Sequence, residues 1–219
     1  MIQTKQVNIT QSYEESISDI VQLKIVDIRN KIIELWDKQP IIAQFPDVVA
    51  ITEPTQQLNC VVQGKKAIIS NQDIAKDFEG RDLDNFIRFV ISFSKTIGKP
   101  IKAFGFNYTF LLDFSDDKDK LSKIKEKDKS FLNLSNLKIE DKDFLGNGIN
   151  FSYMKDKDRI QIVSMPNYDE TLKNVISLVI QTNVHFYEDK IPEFADLIAR
   201  FKDYHKILRK KLDQIYNAK

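Results

Sequence analysis

The stretch Lys102–Phe114, KAFGFNYTFLLDF, is the most aromatic passage of this 219-residue chain and decides the fold class. Its large apolar side chains fall on even-numbered positions, with Leu111 as the exception, and the odd-numbered positions include Gly105, Asn107 and Thr109. Successive side chains of a strand point to opposite faces of a sheet. The pattern therefore predicts a long strand with one covered aromatic face and one bare face that meets water or a partner.

The segment before this strand has the periodicity of an amphipathic helix. Residues 81–97 place apolar side chains at three- and four-residue steps, and Gly98 followed by Pro100 provides a helix end. A helix stripe and an aromatic strand face that are adjacent in sequence are natural packing partners. We therefore expect five side chains to be buried against one another: Phe86, Val90, Phe104, Phe106 and Tyr108.

The same two periodicities predict further strands and a second long helix. One hairpin joins residues 57–62 to 67–70 around Gly64, and a second joins residues 149–154 to 159–165. Residues 177–187 alternate as a strand, and residues 192–216 carry the apolar stripe of a closing helix.

Two segments near the N-terminus are interpreted differently. Residues 17–29 alternate like a strand, and this strand would lead into a short helix at residues 32–36. Pro40, Pro46 and Pro54 each remove a backbone donor, so they predict irregular structure in the region between them.

These elements predict an α+β fold, a mainly antiparallel sheet with amphipathic helices packed on one face and a long C-terminal helix. A run of alternating charges at residues 115–130 is interpreted as a solvated connector between two halves. The predicted division is a polar N-terminal segment (1–16), an N-terminal α+β half (17–114), the connector (115–130) and a C-terminal α+β half (131–219).

Composition limits the function classes. The formal net charge of +1 excludes a chain-wide attraction for nucleic acid or anionic lipid. No apolar run suggests a signal peptide or a membrane span, and the single cysteine, Cys60, suits a reducing compartment, so we expect a cytoplasmic protein. Richness in Ile, Lys, Asn, Asp and Phe is typical of proteins encoded by AT-rich bacterial, phage or plasmid genomes.

Motifs that carry chemistry are missing from the sequence. Cys60 is expected to be a small buried residue rather than a nucleophile paired with His185. The acidic pairs lack the spacing of a calcium loop, the two histidines lack the spacing of a zinc site, and no glycine-rich phosphate loop occurs. The sequence therefore predicts no catalytic residue, no metal and no cofactor, and favours a protein that is not an enzyme.

Several segments together resemble a known family. FPDVVAITEP, DLDNFIRFVISFSKTIG and AFGFNYTFLLDF resemble the first half of a sporadically distributed, uncharacterised bacterial protein family, and LVIQTNVHFYED with the closing helix resembles its second half. Where that family has Gly-x-Arg-Tyr-x-Asn, this chain has Asn107 in place of the Arg and Phe110 in place of the Asn. The resemblance implies a bacterial origin and an α+β fold. The strand followed by a long helix also looks like the export chaperone SecB, by analogy of architecture.

Three functions remain open. The leading hypothesis is a non-enzymatic protein-binding or assembly module of a bacterial or mobile-element system, which recognises a protein segment or its own copy. The alternatives are a small-molecule or nucleotide-binding protein with a pocket between the halves, and nucleic-acid binding through the basic C-terminal helix, which is less expected. The predicted binding residues lie on bare strand faces: Asn107, Thr109, Asn183, His185 and Tyr187.

The closing helix also raises the question of self-association. Its apolar stripe keeps near-heptad steps over more than three heptads, which could seat against a second helix or cover the sheet of its own chain. A homodimer is one predicted state, with contacts through Leu208, Leu212 and Ile215 or through a sheet edge.

Overall fold

One antiparallel sheet contains all the strands that the structure describes. The computed structural model describes residues 2–55, 58–72, 74, 78, 80–113, 122, 148–169 and 174–217. These residues contain nine strands, in the spatial order β2-β3-β4-β5-β1-β6-β9-β8-β7. The strands are β1 (Ile2–Tyr13), β2 (Ile41–Phe45), β3 (Val48–Glu53), β4 (Leu58–Gln63), β5 (Lys66–Asn71), β6 (Ile101–Asp113), β7 (Ile149–Lys155), β8 (Asp158–Asp169) and β9 (Asn174–Phe186).

The helices pack on one face of this sheet. The described residues form α1 (Ser18–Leu23), α2 (Ile25–Trp36), α3 (Arg81–Ile97) and α4 (Phe194–Asn217). Gly98 ends α3 in the left-handed conformation that glycine adopts at little cost. The predicted α+β architecture, with an antiparallel sheet and a long C-terminal helix, is confirmed.

The aromatic face of β6 lies at the centre of the core. Its even-numbered side chains from Phe104 to Leu112 are buried, and Phe106 meets Phe201 of α4 edge to face with ring centroids 5.1 Å apart. The Tyr108 hydroxyl donates a hydrogen bond of 2.7 Å to the carbonyl oxygen of Phe201, and burial raises the pKa of Tyr108. Helix α4 therefore covers this strand, and the five side chains predicted to be buried are all buried.

The prediction of a separate polar N-terminal segment at residues 1–16 is wrong, because residues 2–13 form the central strand β1. This strand pairs with β5 on one side and with β6 on the other. Its helix-facing positions include Gln11, whose side-chain amide donates a 3.2 Å hydrogen bond to the carbonyl oxygen of Val90, while Tyr13 donates to Gln11 Oε1 at 2.5 Å. A polar residue that is satisfied inside the core hid the alternation of the strand.

Two other predictions for the N-terminal half are wrong. Residues 18–36 form α1 and α2 rather than a strand and a short helix, and their buried positions follow helical steps, with Val21, Ile28 and Ile32 on the covered side. Residues 41–53 form the hairpin of β2 and β3, because Pro40 and Pro46 lie just outside the ends of β2 and so bound the strand instead of interrupting it.

The two predicted halves share this one sheet. Strand β6 of the first half pairs along its length with β9 of the second, so that Phe106 faces Val184 and Asn107 faces Asn183. Across the helix layer, the Arg88 guanidinium of α3 lies 4.4 Å from the ring centroid of Phe194 in α4. The predicted charged connector, residues 115–130, lies outside the described residues except for Ser122.

Candidate binding surface on the open face of the sheet

The sheet face opposite the helices, called the open face here, carries a row of polar side chains across seven adjacent strands. The backbone register places these residues side by side. From β3 to β8, the polar row consists of Thr52, Asn59, Ser70, Asn8, Asn107, Asn183 and Gln161. Because neighbouring strands lie about 4.8 Å apart, such a row presents closely spaced donors and acceptors to the same side.

Hydrogen bonds fix the centre of the polar row. The Asn183 Nδ2 group donates to Asn107 Oδ1 at 2.6 Å, and Asn107 Nδ2 donates to Asn8 Oδ1 at 2.6 Å and to Thr10 Oγ1 at 3.1 Å. Gly105 keeps this region open, because a Cβ there would lie 3.1 Å from the Val184 carbonyl oxygen and 3.3 Å from Asn183 Nδ2. The chain of amides orients these side chains before any ligand arrives.

A second, shorter polar row lies next to the first and has free hydrogen-bonding groups. Gln6, Thr109 and Gln181 are neighbours in register on β1, β6 and β9. Among the residues that the structure describes, none of these three side chains makes a hydrogen bond. Gln181 is exposed, and Gln6 and Thr109 are half-buried. Amides and hydroxyls that water can reach exchange it for the polar groups of a ligand.

The two polar rows border a groove of about 320 Å³ on the open face, formed by β5, β1, β6, β9 and β8. It lies where strands from the two halves of the chain meet. The residues that line it are Gln6, Asn8, Thr10, Ile68, Asn107, Tyr108, Thr109, Gln161, Val163, Gln181, Thr182 and Asn183. Carboxylates, cations and thiols are not among them.

Apolar side chains flank the groove on the same face. Four apolar side chains on β2, β4 and β5 face away from the helices: Ile41, Phe45, Val61 and Ile68. We call this group the apolar wing. Ile41 is 64% exposed and Ile68 is 41% exposed. Exposed apolar side chains grouped on one face indicate contact with a partner more strongly than scattered ones do.

The predicted binding residues divide into two groups. Asn107, Thr109 and Asn183 all lie in the groove. His185 and Tyr187 lie further along, with ring centroids 4.4 Å apart, and are not among the residues that line the groove. Burial, together with the charge of Arg159, lowers the pKa of His185, which favours the neutral form of this ring.

Sequence reasoning missed the contribution of β1 and β8 to the groove. Asn8 and Thr10 were placed in a segment outside the sheet, and Gln161 was assigned to a hairpin without a role. The alternation of Val7 and Ile9 with Asn8 and Thr10 is the signal that indicates a strand with one polar face.

The structure separates the one cysteine, Cys60, from His185. Cys60 is fully buried on the helix-facing side of β4, as predicted, and burial raises its pKa to about 12. His185 lies on the open face, so the two side chains are on opposite sides of the sheet and cannot form a dyad. Within the described part of the chain, no group of three or more His, Cys, Asp and Glu residues is arranged to hold a metal ion.

The basic face of α4 is partly occupied by contacts within the chain. Arg200 donates hydrogen bonds of 2.8 Å to Glu188 and 3.0 Å to Asp196, and the Lys211 ammonium lies 4.8 Å from the ring centroid of Tyr153. Lys202, Lys206, Arg209 and Lys210 line a shallow cavity with the acids Asp203 and Asp213. The cations that remain exposed are therefore interspersed with carboxylates.

The predicted oligomer contacts on α4 are used inside the chain. Leu208 and Leu212 are fully buried in the core, and Ile215 packs against it partly buried. The apolar surface of Leu208 and Leu212 is therefore not available to a second helix. The homodimer itself stays a prediction, and the route that the structure leaves for it is a sheet edge.

Comparisons with known proteins assign no family to the chain. No protein-family model matches it, and no curated protein matches it. Among solved structures, it is similar to one described as Methanococcus jannaschii TBP, with 11% sequence identity, a TM-score of 0.30 and 99% of each chain covered. In the described part of the chain, no helix is both long and apolar enough to cross a membrane.

Proposed function

We propose that this protein is a non-enzymatic binding module of a bacterial or mobile-element system, and that its open face binds a segment of another protein. The observation that carries the proposal is the combination of the polar rows with the apolar wing on a sheet face that no described helix or strand covers. A polypeptide supplies both kinds of contact, since its backbone amides suit Gln6, Thr109 and Gln181 while its apolar side chains suit Val61 and Ile68.

The charges of the open face support a protein partner over a nucleic acid. Its charged side chains include Lys66, Arg159 and Asp113, which are of both signs and stand at the margins of the polar rows. Binding of a phosphate backbone requires several cations that each neutralise a phosphate. A surface dominated by uncharged amides and apolar groups does not meet that requirement. It suits an uncharged or weakly charged protein segment.

The test is peptide binding by open-face variants. Short peptides of random sequence on an array select ligands, and fluorescence anisotropy then measures the Kd of the best ones. We expect Ile68→Lys, which adds a charge to the apolar wing, to raise Kd by about tenfold or more. The matched control is Val26→Lys, at an exposed apolar position on α2. The same Kd for both variants, or no peptide bound by the unmodified protein, would contradict the proposal.

The groove gives a second candidate function some support. Its volume of about 320 Å³ and its lining of amides and hydroxyls fit a small uncharged polar molecule. Thermal-shift screening with sugars and nucleosides tests this alternative. A compound that stabilises the unmodified protein but not Gln181→Ala would favour it. Gln181 makes no internal hydrogen bond among the described residues, so we expect its truncation to leave the fold intact.

A further inference from the structure

Strand β2 forms one edge of the sheet, and its outer side has no partner strand among the described residues. Its five residues carry no charge, and Ile41 and Phe45 are 64% and 61% exposed. Natural edge strands are usually protected by charged residues, bulges or coverage by another element. An uncharged edge with exposed apolar side chains is a surface prepared for strand pairing.

The opposite edge of the sheet differs. Strand β7 includes Lys155, and its Tyr153 is packed beneath the Lys211 ammonium of α4. It therefore carries one of the usual protections and is tied to the helix layer. The comparison singles out β2 as the edge that is suited to pairing.

We propose that β2 pairs antiparallel with β2 of a second copy of this chain, around a two-fold axis at Ala43. This register is the one that pairs all five residues, and it places Ile41 of each copy opposite Phe45 of the other. Pro40 and Pro46 stand just outside, so the ladder ends where a backbone donor is lost. Such an interface is self-complementary and closes after two copies.

Charges at the two ends of β2 complement each other in this arrangement. Lys38 precedes the strand and Asp47 follows it, and both are exposed. Neither side chain has an ion-pair partner among the described residues of its own chain. Antiparallel pairing around Ala43 brings Lys38 of one copy beside Asp47 of the other, within one residue of register, and the two-fold axis repeats this pair.

A neighbouring apolar corner enlarges the surface. The Gln22 side-chain amide donates a 3.4 Å hydrogen bond to the carbonyl oxygen of Phe45, which holds α1 next to the end of β2. Leu23, the following residue, is 83% exposed. Leu23 thus belongs to the helix that the Gln22 side chain ties to the end of β2, the edge that the second copy would cover.

Sedimentation equilibrium at micromolar concentrations tests the edge. The unmodified protein is expected to have twice the 25.5 kDa mass of one chain. The double variant Ile41→Lys, Phe45→Lys is expected to be a folded monomer with an unchanged circular dichroism spectrum, and Met154→Lys on the β7 edge is expected to stay a dimer. A monomeric unmodified protein, or dissociation by Met154→Lys alone, would overturn the proposal.

Charge reversal tests the register. Lys38→Asp and Asp47→Lys are each expected to raise the dimer Kd by about fivefold, and the two together to restore it. Failure of the double reversal to restore the dimer would overturn the register around Ala43. The result is separable from peptide binding, because Ile68→Lys should weaken peptide binding and leave the dimer unchanged.

Discussion

At the scale of single residues, Phe106 shows how the aromatic stretch stabilises the molecule. Its ring contacts Phe104 and Phe186 as well as Phe201, so strands β6 and β9 and helix α4 all meet on it. Edge-to-face contacts of this kind add to the free energy of burying an aromatic ring. The side chain therefore couples the two halves of the sheet to the helix layer.

Truncation of this ring gives the first prediction. Phe106→Ala is expected to lower the free energy of unfolding by about 3–5 kcal/mol, because it removes a fully buried ring and leaves a cavity. Urea denaturation measures the change. The control is Tyr187→Ala, at a ring that is 65% exposed, with an expected change within about 0.5 kcal/mol. A loss below about 1 kcal/mol for Phe106→Ala would mean that the ring is not part of the core.

The second residue-scale prediction concerns pH. His205 is stacked on Phe78 with ring centroids 3.8 Å apart, and its Nε2 lies 2.8 Å from Thr4 Oγ1. Burial, and secondarily the charge of Arg209, lowers its pKa to about 4. Because the unfolded chain binds this proton at a pKa of about 6.5, stability is expected to fall as pH drops from about 6.5 towards 4.

The free energy of unfolding that is lost through His205 approaches but does not exceed about 1.4 kcal/mol per pH unit. Urea denaturation at a series of pH values measures it, and His205→Gln should flatten the profile in this window. His185→Gln is the comparison: the pKa of His185 is also lowered, but His185 is only partly buried on the open face, so this variant should flatten the profile less than His205→Gln does. A profile that is equally steep in the His205 variant would contradict the assignment.

At the scale of elements, the segments with a clean apolar period could be predicted from sequence and the others could not. Strand β6 and helix α3 have uninterrupted patterns, and both were located to within about one residue. Strand β1 was missed because Gln11 occupies a core position, where its amide is satisfied by the carbonyl oxygen of Val90. Long-range partners of this kind are invisible in a local pattern.

The residues of the candidate site divide in the same way, into those on an element with a clear apolar period and those on elements without one. Asn107 and Thr109 were predicted as exposed polar positions because they lie on β6, whose alternation is clear. Their neighbours Asn8 and Gln161 are more than fifty residues away along the chain, and only the strand order brings them together. The groove thus depends on the order of the strands in the sheet, and a single sequence without detectable repeats does not reveal that order.

The alternation of β1 can be tested with two adjacent substitutions. Ile9→Asp is expected to lower the free energy of unfolding by more than about 3 kcal/mol, because Ile9 is fully buried opposite Phe106. The side chain of residue 10 points to the open face, so Thr10→Asp is expected to change the free energy of unfolding by no more than about 1 kcal/mol. Thermal and urea denaturation compare the two. Similar losses for both variants would contradict the placement of residues 2–13 in the sheet.

At the scale of the whole molecule, one sheet and one core unite both halves of the sequence, so we expect unfolding in a single step. The only tryptophan, Trp36, packs against Phe89 in the first half and reports on it by fluorescence. Far-ultraviolet circular dichroism reports on all strands. The two signals should give coincident urea transitions. A separate transition for the tryptophan would show that the halves fold independently.

The central claim is that the open face of the sheet is the binding surface. A photo-cross-linking amino acid placed at Thr109, in the groove, tests it in the host cell, with the same group at Lys206 on the solvent-facing side of α4 as the matched control. We predict that position 109 gives a defined adduct to another protein, mapped to one segment of it, which Ile68→Lys abolishes, and that position 206 gives none. An adduct from position 206 alone, or an adduct at position 109 that survives Ile68→Lys, would contradict the account.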